Sequence, residues 1–209
     1  LIEQEIELGL DNKQSYLGFT GSVNKIRDDL IELLTKLKKE GKKVHLLGLL
    51  SDGGVHSHIN HIEGLLDLIG EYKLNDVYLH AFTDGRDVDP QSGKHFVEQI
   101  EKKLAETGGH LASIIGRYYA MDRDQRWERV KKAYDLLVNG VGTPTSSFTQ
   151  ELSNSYAAGI TDEFIEPLFK DNGKGEAVTK IESGDVVLFF NFLDRTKLLP
   201  ISYLFYNQN

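Results

Sequence analysis

The sequence predicts an α/β fold, a three-layer sandwich in which a largely parallel sheet is flanked by helices. Two observations predict it. Short, nearly continuous apolar runs, typical of strands buried on both faces of a parallel sheet, recur along the chain, and amphipathic helical patterns separate most of them. The length of 209 residues, with 40% hydrophobic and 27% charged residues, is that of one globular domain.

Each element is justified by its own pattern. The first helix is predicted over 22–39, because apolar residues recur there at helical spacing between a capping Ser22 and the stop signal Gly41. Apolar runs predict the strands, and further helical patterns lie between them. The predicted strands cover 44–50, 77–82, 111–115 and 186–190, and the later helices cover 59–69, 94–106, 126–138 and 150–158. The Gly-rich and Thr-rich stretch 140–147 is interpreted as a loop, and 171–175 as a turn.

Composition excludes several classes of function. The chain has no cysteine, so a disulfide framework, a thiolate zinc site, an iron-sulfur cluster and a cysteine nucleophile are excluded. A net charge of −8 disfavours binding to nucleic acid or to an anionic membrane, unless the cations are clustered. The apolar runs are far shorter than a membrane-spanning helix needs. A cytoplasmic location is expected.

Polar and charged residues follow four of the predicted strands directly. In open α/β sheets, ligands bind beyond the carboxyl ends of the strands, so these residues are expected to meet at one edge. They are Asp52, His56, His58, Asp84, Arg86, Asp87, Arg117, Asp122, Arg123, Asp124 and Arg195.

Four arginines in this set indicate an anionic ligand. The guanidinium groups of Arg86, Arg117, Arg123 and Arg195 present planar forks that bind carboxylate or phosphate oxygens in pairs. A small polyanion such as a phosphorylated carboxylic acid fits this pattern. The alternative is that each arginine forms a structural ion pair with a neighbouring aspartate.

Three histidines form a His-x-His-x-x-His string at His56, His58 and His61. With Asp84 and Asp87 they offer imidazole and carboxylate ligands for a metal ion. The alternative is that one histidine donates a hydrogen bond to an anionic ligand while the others cap or pack a helix.

Asp87 is the candidate for acid-base chemistry. A carboxylate beside an arginine is favoured in its ionised form, which accepts a hydroxyl proton, whereas burial favours the protonated form. The sequence leaves the balance open, and an aspartate with a purely structural role in a turn is the alternative.

Three segments carry a family resemblance: LLSDGGVHSHINH at 49–61, FTDGRDVDP at 82–90 and GRYYAMDRDQRWERVKKAY at 116–134. Together they resemble the cofactor-independent phosphoglycerate mutases, which interconvert 3-phosphoglycerate and 2-phosphoglycerate in glycolysis. The resemblance implies an isomerase of two α/β domains. One is a phosphatase-like domain, related to alkaline phosphatase, that holds two Mn2+ ions and a serine nucleophile, and the other is a transferase domain that binds phosphoglycerate.

On the family pattern, residues 1–209 are similar to the transferase domain alone. The resemblance implies that Asp87 moves the proton of the glycerate hydroxyls, and it assigns substrate binding to six residues, namely His56, Arg86, Asp87, Arg117, Arg123 and Arg195. The serine nucleophile is expected upstream of Leu1, and the metal ligands beyond Asn209. The resemblance implies a monomeric parent enzyme, and the chain alone is expected to bind phosphoglycerate without turnover.

The sequence departs from the family near its end. The family has Asn-Phe-Arg-x-Asp-Arg where this chain has Asn-Phe-Leu-Asp-Arg at 191–195, so one phosphate-binding arginine is missing. The tail 193–209 also differs from the family. Two other functions remain open from the residues: a freestanding metal-dependent hydrolase using His56, His58, Asp84 and Asp87, and a non-catalytic remnant.

Overall fold

The computed structural model describes residues 8–9 and 23–191, with side chains over 31–191. In this part of the chain, one sheet has the strand order β1-β7-β2-β3-β4-β6-β5. The strands are β1 (Leu8–Gly9), β2 (Val44–Leu50), β3 (Val77–Thr83), β4 (His110–Gly116), β5 (Thr143–Thr145), β6 (Leu168–Lys170) and β7 (Val186–Phe189).

Four adjacent strands form the parallel centre of the sheet. Strand β2 pairs in parallel with β7 on one side and with β3 on the other, and β3 pairs in parallel with β4. Antiparallel pairing appears only outside them, where β1 joins β7 and β6 joins β4, while β5 runs parallel to β6. The prediction of a largely parallel sheet is confirmed.

Helices cover both faces of the sheet. They are α1 (Val23–Glu40), α2 (Ile59–Tyr72), α3 (Gly93–Thr107), α4 (Arg117–Ala120), α5 (Trp127–Tyr134) and α6 (Phe148–Ala157). A π-helical segment, Asp135–Asn139, continues α5, so the two together cover the helix predicted over 126–138. The predicted bounds of the longer elements agree with the structure to within three residues.

Alternate residues of the central strands pack into two separate cores. Leu46 of β2 belongs to the core with α1, α2, α3 and α6. The next residue, Leu47, belongs to the core with α4, α5 and the π-helical segment. Since side chains alternate across a strand, these two cores lie on opposite faces, and the three-layer sandwich is confirmed.

The prediction of a loop over 140–147 is wrong in part, because Thr143–Thr145 forms strand β5. It pairs in parallel with β6, and the backbone N–H of Thr143 donates a hydrogen bond of 2.9 Å to the carbonyl oxygen of Pro167. A three-residue strand with a central proline shows neither apolar alternation nor a continuous apolar run.

None of the helices in the described residues is both long and apolar enough to cross a membrane.

A chain of polar side chains runs through the buried sheet, from the amino ends of β7 and β2 to the middle of β3 and β4. Asp185 Oδ2 lies 3.1 Å from His45 Nε2, His45 Nδ1 lies 2.9 Å from His80 Nε2, and His80 Nδ1 lies 2.7 Å from Ser113 Oγ. Both histidines and Ser113 are buried. With neutral imidazoles, one proton arrangement satisfies every bond: Ser113 donates to His80, His80 donates to His45, and His45 donates to Asp185.

Candidate functional site

The loops that follow β2, β3 and β4 meet at the carboxyl edge of the sheet. His56 Nε2, from the first loop, lies 3.5 Å from Asp87 Oδ2 of the second. The same carboxylate accepts a hydrogen bond of 2.6 Å from Arg117 Nη1, at the start of α4. The structure therefore brings His56, Asp87 and Arg117 together from three strand ends, as their positions after parallel strands predict.

Asp84 lies beneath this group and holds it in place. Its Oδ1 accepts hydrogen bonds from the backbone N–H groups of Arg86 (3.2 Å) and Asp87 (3.0 Å) and from Arg117 Nη1 (2.5 Å). Burial alone raises the pKa of Asp84, but hydrogen bonding from Ser51, Asp87 and Arg117 outweighs it and leaves the pKa below its ordinary value. Asp84 is therefore an ionised structural anchor for the loop 84–87.

Arg117 is the buried cation of the site. Burial lowers its pKa, but the hydrogen bonds to Asp87 and Asp84 outweigh burial and the pKa is raised. Arg117 pairs with carboxylates about 30 residues away in sequence rather than with a neighbouring aspartate. The structural ion pair foreseen as an alternative therefore exists for Arg117, with different partners.

Arg86 and Arg123 lie beside Arg117 around one open pocket, which the acidic side chains of Asp122, Asp124 and Glu163 also line. Arg86 is half-exposed, and its Nη1 lies 3.4 Å from Glu163 Oε1. Arg123 is exposed, and no residue of 31–191 forms an ion pair with it. Of the three arginines that the described residues bring together, Arg123 is the most available to an anion in solution.

The structure adds Arg129 to the pocket, a residue that reasoning from strand ends did not select. Its guanidinium carbon lies 3.7 Å from the centre of the Tyr118 ring, and its Nη1 lies 3.2 Å from Asp122 Oδ1. Asp122 also accepts a hydrogen bond of 2.8 Å from the backbone N–H of Arg126. These contacts fix both ends of the loop that carries Arg123. The sequence could have pointed to Arg129 as a pocket residue, because Arg129 belongs to the motif 116–134.

The segment before β6 forms another wall of the pocket and was also missed. It begins with a 3-10 turn, Asp162–Phe164. Asp162 is fully buried and accepts hydrogen bonds from the Tyr156 hydroxyl and from the backbone N–H of Gly93, the latter at 2.7 Å. Burial raises its pKa to about 6, despite these two donors. No motif or strand end marks this segment in the sequence.

The histidine string does not form a metal site in the described side chains. His58 instead caps α2, where its Nδ1 accepts a hydrogen bond of 3.2 Å from the backbone N–H of Asn60. The pKa of His61 is lowered by partial burial and then by the charge of His58. Over residues 31–191, no group of three or more histidine, aspartate or glutamate side chains is arranged to hold a metal ion. The hydrolase alternative therefore has no ligand set here.

The sixth predicted binding residue, Arg195, lies outside the described residues. The described chain ends at Asn191, just after β7. The side-chain oxygen of Asn191 accepts a hydrogen bond of 2.7 Å from the backbone N–H of Leu49. This contact fixes the carboxyl end of β7 beside β2, at the same edge of the sheet as the pocket.

Comparisons with known proteins agree with this geometry. Residues 21–208 match the family model described as BPG-independent PGAM N-terminus. The chain is 55% identical over 163 residues to a protein of Flavobacterium johnsoniae named 2,3-bisphosphoglycerate-independent phosphoglycerate mutase, covering 78% of this chain and 32% of that protein. A protein of the same name from Bacteroides fragilis is 50% identical over 174 residues, covering 83% and 34%.

A solved structure is also similar. It comes from a study of crystal structures of Leishmania mexicana phosphoglycerate mutase at low cobalt concentration, with a TM-score of 0.78 and 27% identity, covering 89% of this chain and 37% of that chain. The chain spans about a third of the length of the relatives it matches.

Proposed function

The chain belongs to the family of N-terminal domains of BPG-independent phosphoglycerate mutases, and we propose that it is the transferase domain that binds 3-phosphoglycerate and 2-phosphoglycerate. The observation that carries the proposal is the pocket in which Arg86, Arg117 and Arg123 lie together at the carboxyl edge of the sheet. Phosphoglycerate carries a phosphate and a carboxylate on one three-carbon chain. Several guanidinium forks around one pocket are suited to hold both groups at once.

Asp87 and His56 are the candidates for proton transfer. Asp87 Oδ2 faces both His56 Nε2, at 3.5 Å, and Arg117 Nη1, at 2.6 Å. A glycerate hydroxyl bound over this carboxylate has a proton acceptor within reach, with the guanidinium of Arg117 beside that acceptor. We assign to Asp87 the movement of the proton between the hydroxyls at carbon 2 and carbon 3, and to His56 a hydrogen bond to the substrate.

We expect the other half of the reaction to belong to residues outside 1–209. The resemblance places the serine nucleophile and two Mn2+ ions in a phosphatase-like domain, and the described side chains offer no ligand set for a metal. The role left for residues 1–209 is to bind the substrate and to hold the glycerate while the phosphoryl group is on the serine, which favours return of the phosphoryl group to the same molecule. The chain alone is expected to bind phosphoglycerate without turnover.

Calorimetric titration of the chain with 3-phosphoglycerate tests this function. We expect binding that weakens as salt is added, because the contacts are between charges. Arg123→Ala is expected to weaken binding about tenfold, as for the loss of one charge-assisted hydrogen bond. Arg126→Ala is the matched control, since Arg126 is also exposed and lies in the same loop, but does not line the pocket.

Three results would contradict the proposal. A folded chain that shows no heat of binding would favour the non-catalytic remnant. Equal weakening by the two arginine variants would show that net charge, and not the pocket, attracts the anion. Conversion of 3-phosphoglycerate to 2-phosphoglycerate by the purified chain would overturn the expected lack of turnover.

A further inference from the structure

An acidic side chain stands among the arginines of the pocket. Glu163 Oε1 lies 3.4 Å from Arg86 Nη1, and the Glu163 side chain is only 19% exposed whereas that of Arg86 is 54% exposed. An anionic substrate therefore meets a carboxylate of its own sign beside one of the cations assigned to bind it. The arginines follow predicted strands, but Glu163 does not, so its place in the sequence does not explain why an acid lies here.

The backbone of Glu163 is fixed by close packing against the ends of two strands. A Cβ atom added to Gly116, at the end of β4, would lie 2.3 Å from the carbonyl oxygen of Glu163, and one added to Gly85, in the loop after β3, would lie 2.9 Å from its nitrogen. Both distances are shorter than real contacts allow. Only glycine at these two positions lets the segment lie so close to the site.

The preceding residue, Asp162, ties the same segment to three elements. Its backbone N–H donates a hydrogen bond of 2.9 Å to the carbonyl oxygen of Pro90. Its carbonyl oxygen accepts a hydrogen bond of 2.7 Å from Thr83 Oγ1, and its carboxylate accepts one of 2.7 Å from the backbone N–H of Gly93. Glu163 is thus held on a rigid support, while Arg86 has a long, half-exposed side chain. Of the two partners, Arg86 is the one able to move.

We propose that Glu163 is a built-in counter-ion for Arg86, which the incoming anionic group of the substrate must displace. In the unliganded site, Arg86 rests on Glu163. When the substrate binds, the Arg86 guanidinium turns to the substrate and leaves the Glu163 carboxylate. Breaking this ion pair offsets part of the favourable free energy of substrate binding. Glu163 therefore lowers the affinity of the pocket for the anion. This inference rests on the proposed function of the pocket.

The consequence is that removing an acid should strengthen binding. An exposed ion pair contributes up to about 1 kcal/mol, which corresponds to about two- to fivefold in a dissociation constant. Glu163→Gln keeps the shape of the side chain and removes its charge, so we expect it to bind 3-phosphoglycerate about two- to fivefold more tightly than the wild type. The difference should shrink as salt is added, because exposed charges are screened.

The matched control is Glu182→Gln, which removes the same charge at the opposite edge of the sheet, where Glu182 pairs with Lys43 at 2.7 Å. It should leave the affinity unchanged. In an Arg86→Ala background, Glu163→Gln should lose most of its effect, because the residue that Glu163 neutralises is gone. Calorimetry on these five chains, with 3-phosphoglycerate as the probe, measures all of these differences.

Each outcome decides the matter. Tighter binding by Glu163→Gln than by the wild type, in a way that depends on Arg86, supports the inference. If the wild type binds and Glu163→Gln binds equally well or more weakly, the inference is wrong. Glu163 then orients Arg86 or plays no part in binding, and the proposed function still stands. If neither chain binds, both the proposed function and the inference are wrong.

Discussion

Two regions of the central strands use similar residues in opposite ways. At the carboxyl ends, Arg117 contacts Asp87, which lies 3.5 Å from His56, and also lines an open pocket. Arg123 lines the same pocket and has no ion-pair partner among residues 31–191. Further back along the strands, His45 and His80 join Asp185 and Ser113 in a closed chain of hydrogen bonds. Histidines and carboxylates are present in both regions, so residue type alone does not separate a candidate binding site from a structural network.

The difference lies in whether polar capacity remains for a ligand. In the buried chain, each imidazole nitrogen of His45 and His80 has a partner inside the protein. At the carboxyl end, guanidinium donors of Arg86 and Arg123 still face water, and the acids beside them leave the pocket only partly neutralised. A ligand therefore has donors to meet at the pocket, whereas the imidazoles of the buried chain have no nitrogen left for one.

The largest expected effect comes from breaking the carboxyl end at its buried centre. Arg117→Ala leaves Asp84 and Asp87 facing each other without their shared cation, and Asp84 is almost fully buried. Removing one partner of a buried ion pair costs about 3–5 kcal/mol. We expect a loss of this size in the free energy of unfolding, measured by urea denaturation, together with loss of 3-phosphoglycerate binding.

Arg123→Ala is the comparison for that experiment, because Arg123 is exposed and its removal should leave the free energy of unfolding within about 0.5 kcal/mol of the wild type. If both variants lost similar stability, the division of the site into a buried anchor and an exposed binding group would be wrong. If Arg117→Ala stayed as stable as the wild type, the two aspartates would not depend on it.

The sequence alone predicts that the residues of this candidate site lie together, because parallel strands bring their carboxyl ends to one edge. Asp87, Arg117 and Arg123 could be selected from their positions after apolar runs, without knowledge of any contact. Glu163 could not, since it follows no predicted strand and comes to the pocket only through the close packing of Gly85 and Gly116. Such packing depends on distances between distant segments, which no local pattern encodes.

The same reasoning explains the errors in the fold. The continuous apolar run of β2 was predicted with its observed bounds, Val44–Leu50, because burial on both faces demands apolar residues throughout. Strand β5, Thr143–Thr145, was missed because pairing with β6 alone defines it. The role of His58 was ambiguous from its spacing, since a histidine that caps a helix and one that binds a metal look alike in sequence.

A second prediction concerns Asp162, the buried acid that supports one wall of the pocket. Its pKa is raised to about 6 in the folded protein, mainly by burial, against an ordinary value near 4 for an aspartate. Between these two pH values the folded state binds more protons than the unfolded state, so rising pH destabilises the fold. This contribution is favourable below pH 4 and is lost as the pH rises through 6.

Comparison of the wild type with Asp162→Asn isolates the effect, because Asn does not titrate. We expect the free energy of unfolding of the wild type, relative to that of the variant, to fall by at most about 3 kcal/mol between pH 4 and pH 7. This is the free energy that corresponds to a pKa raised from near 4 to about 6. Urea denaturation at several pH values measures it. A difference that stays constant over this range would mean that Asp162 is ionised throughout, and the wall would then contain a buried charge.

The smallest expected effect tests the closed network of His45, His80, Asp185 and Ser113. Ser113→Ala removes the partner of His80 Nδ1 and leaves that buried nitrogen without a hydrogen bond, at a cost of about 1–3 kcal/mol. We expect Ser113→Ala to lower the free energy of unfolding at pH 7.5 and to leave 3-phosphoglycerate affinity unchanged. Weaker ligand binding by a folded Ser113→Ala chain would show that the network and the pocket are coupled, and the contrast between an open site and a closed network would no longer hold.

His80 makes the stability of the same network depend on pH. Burial, followed by the charge of His45, lowers the pKa of His80 well below its ordinary value. The unfolded chain therefore takes up a proton below about pH 6.5 that folded His80 does not. Stability from this residue is lost as the pH falls below that value, so we expect His80→Gln to reduce the loss of stability between pH 7 and pH 5.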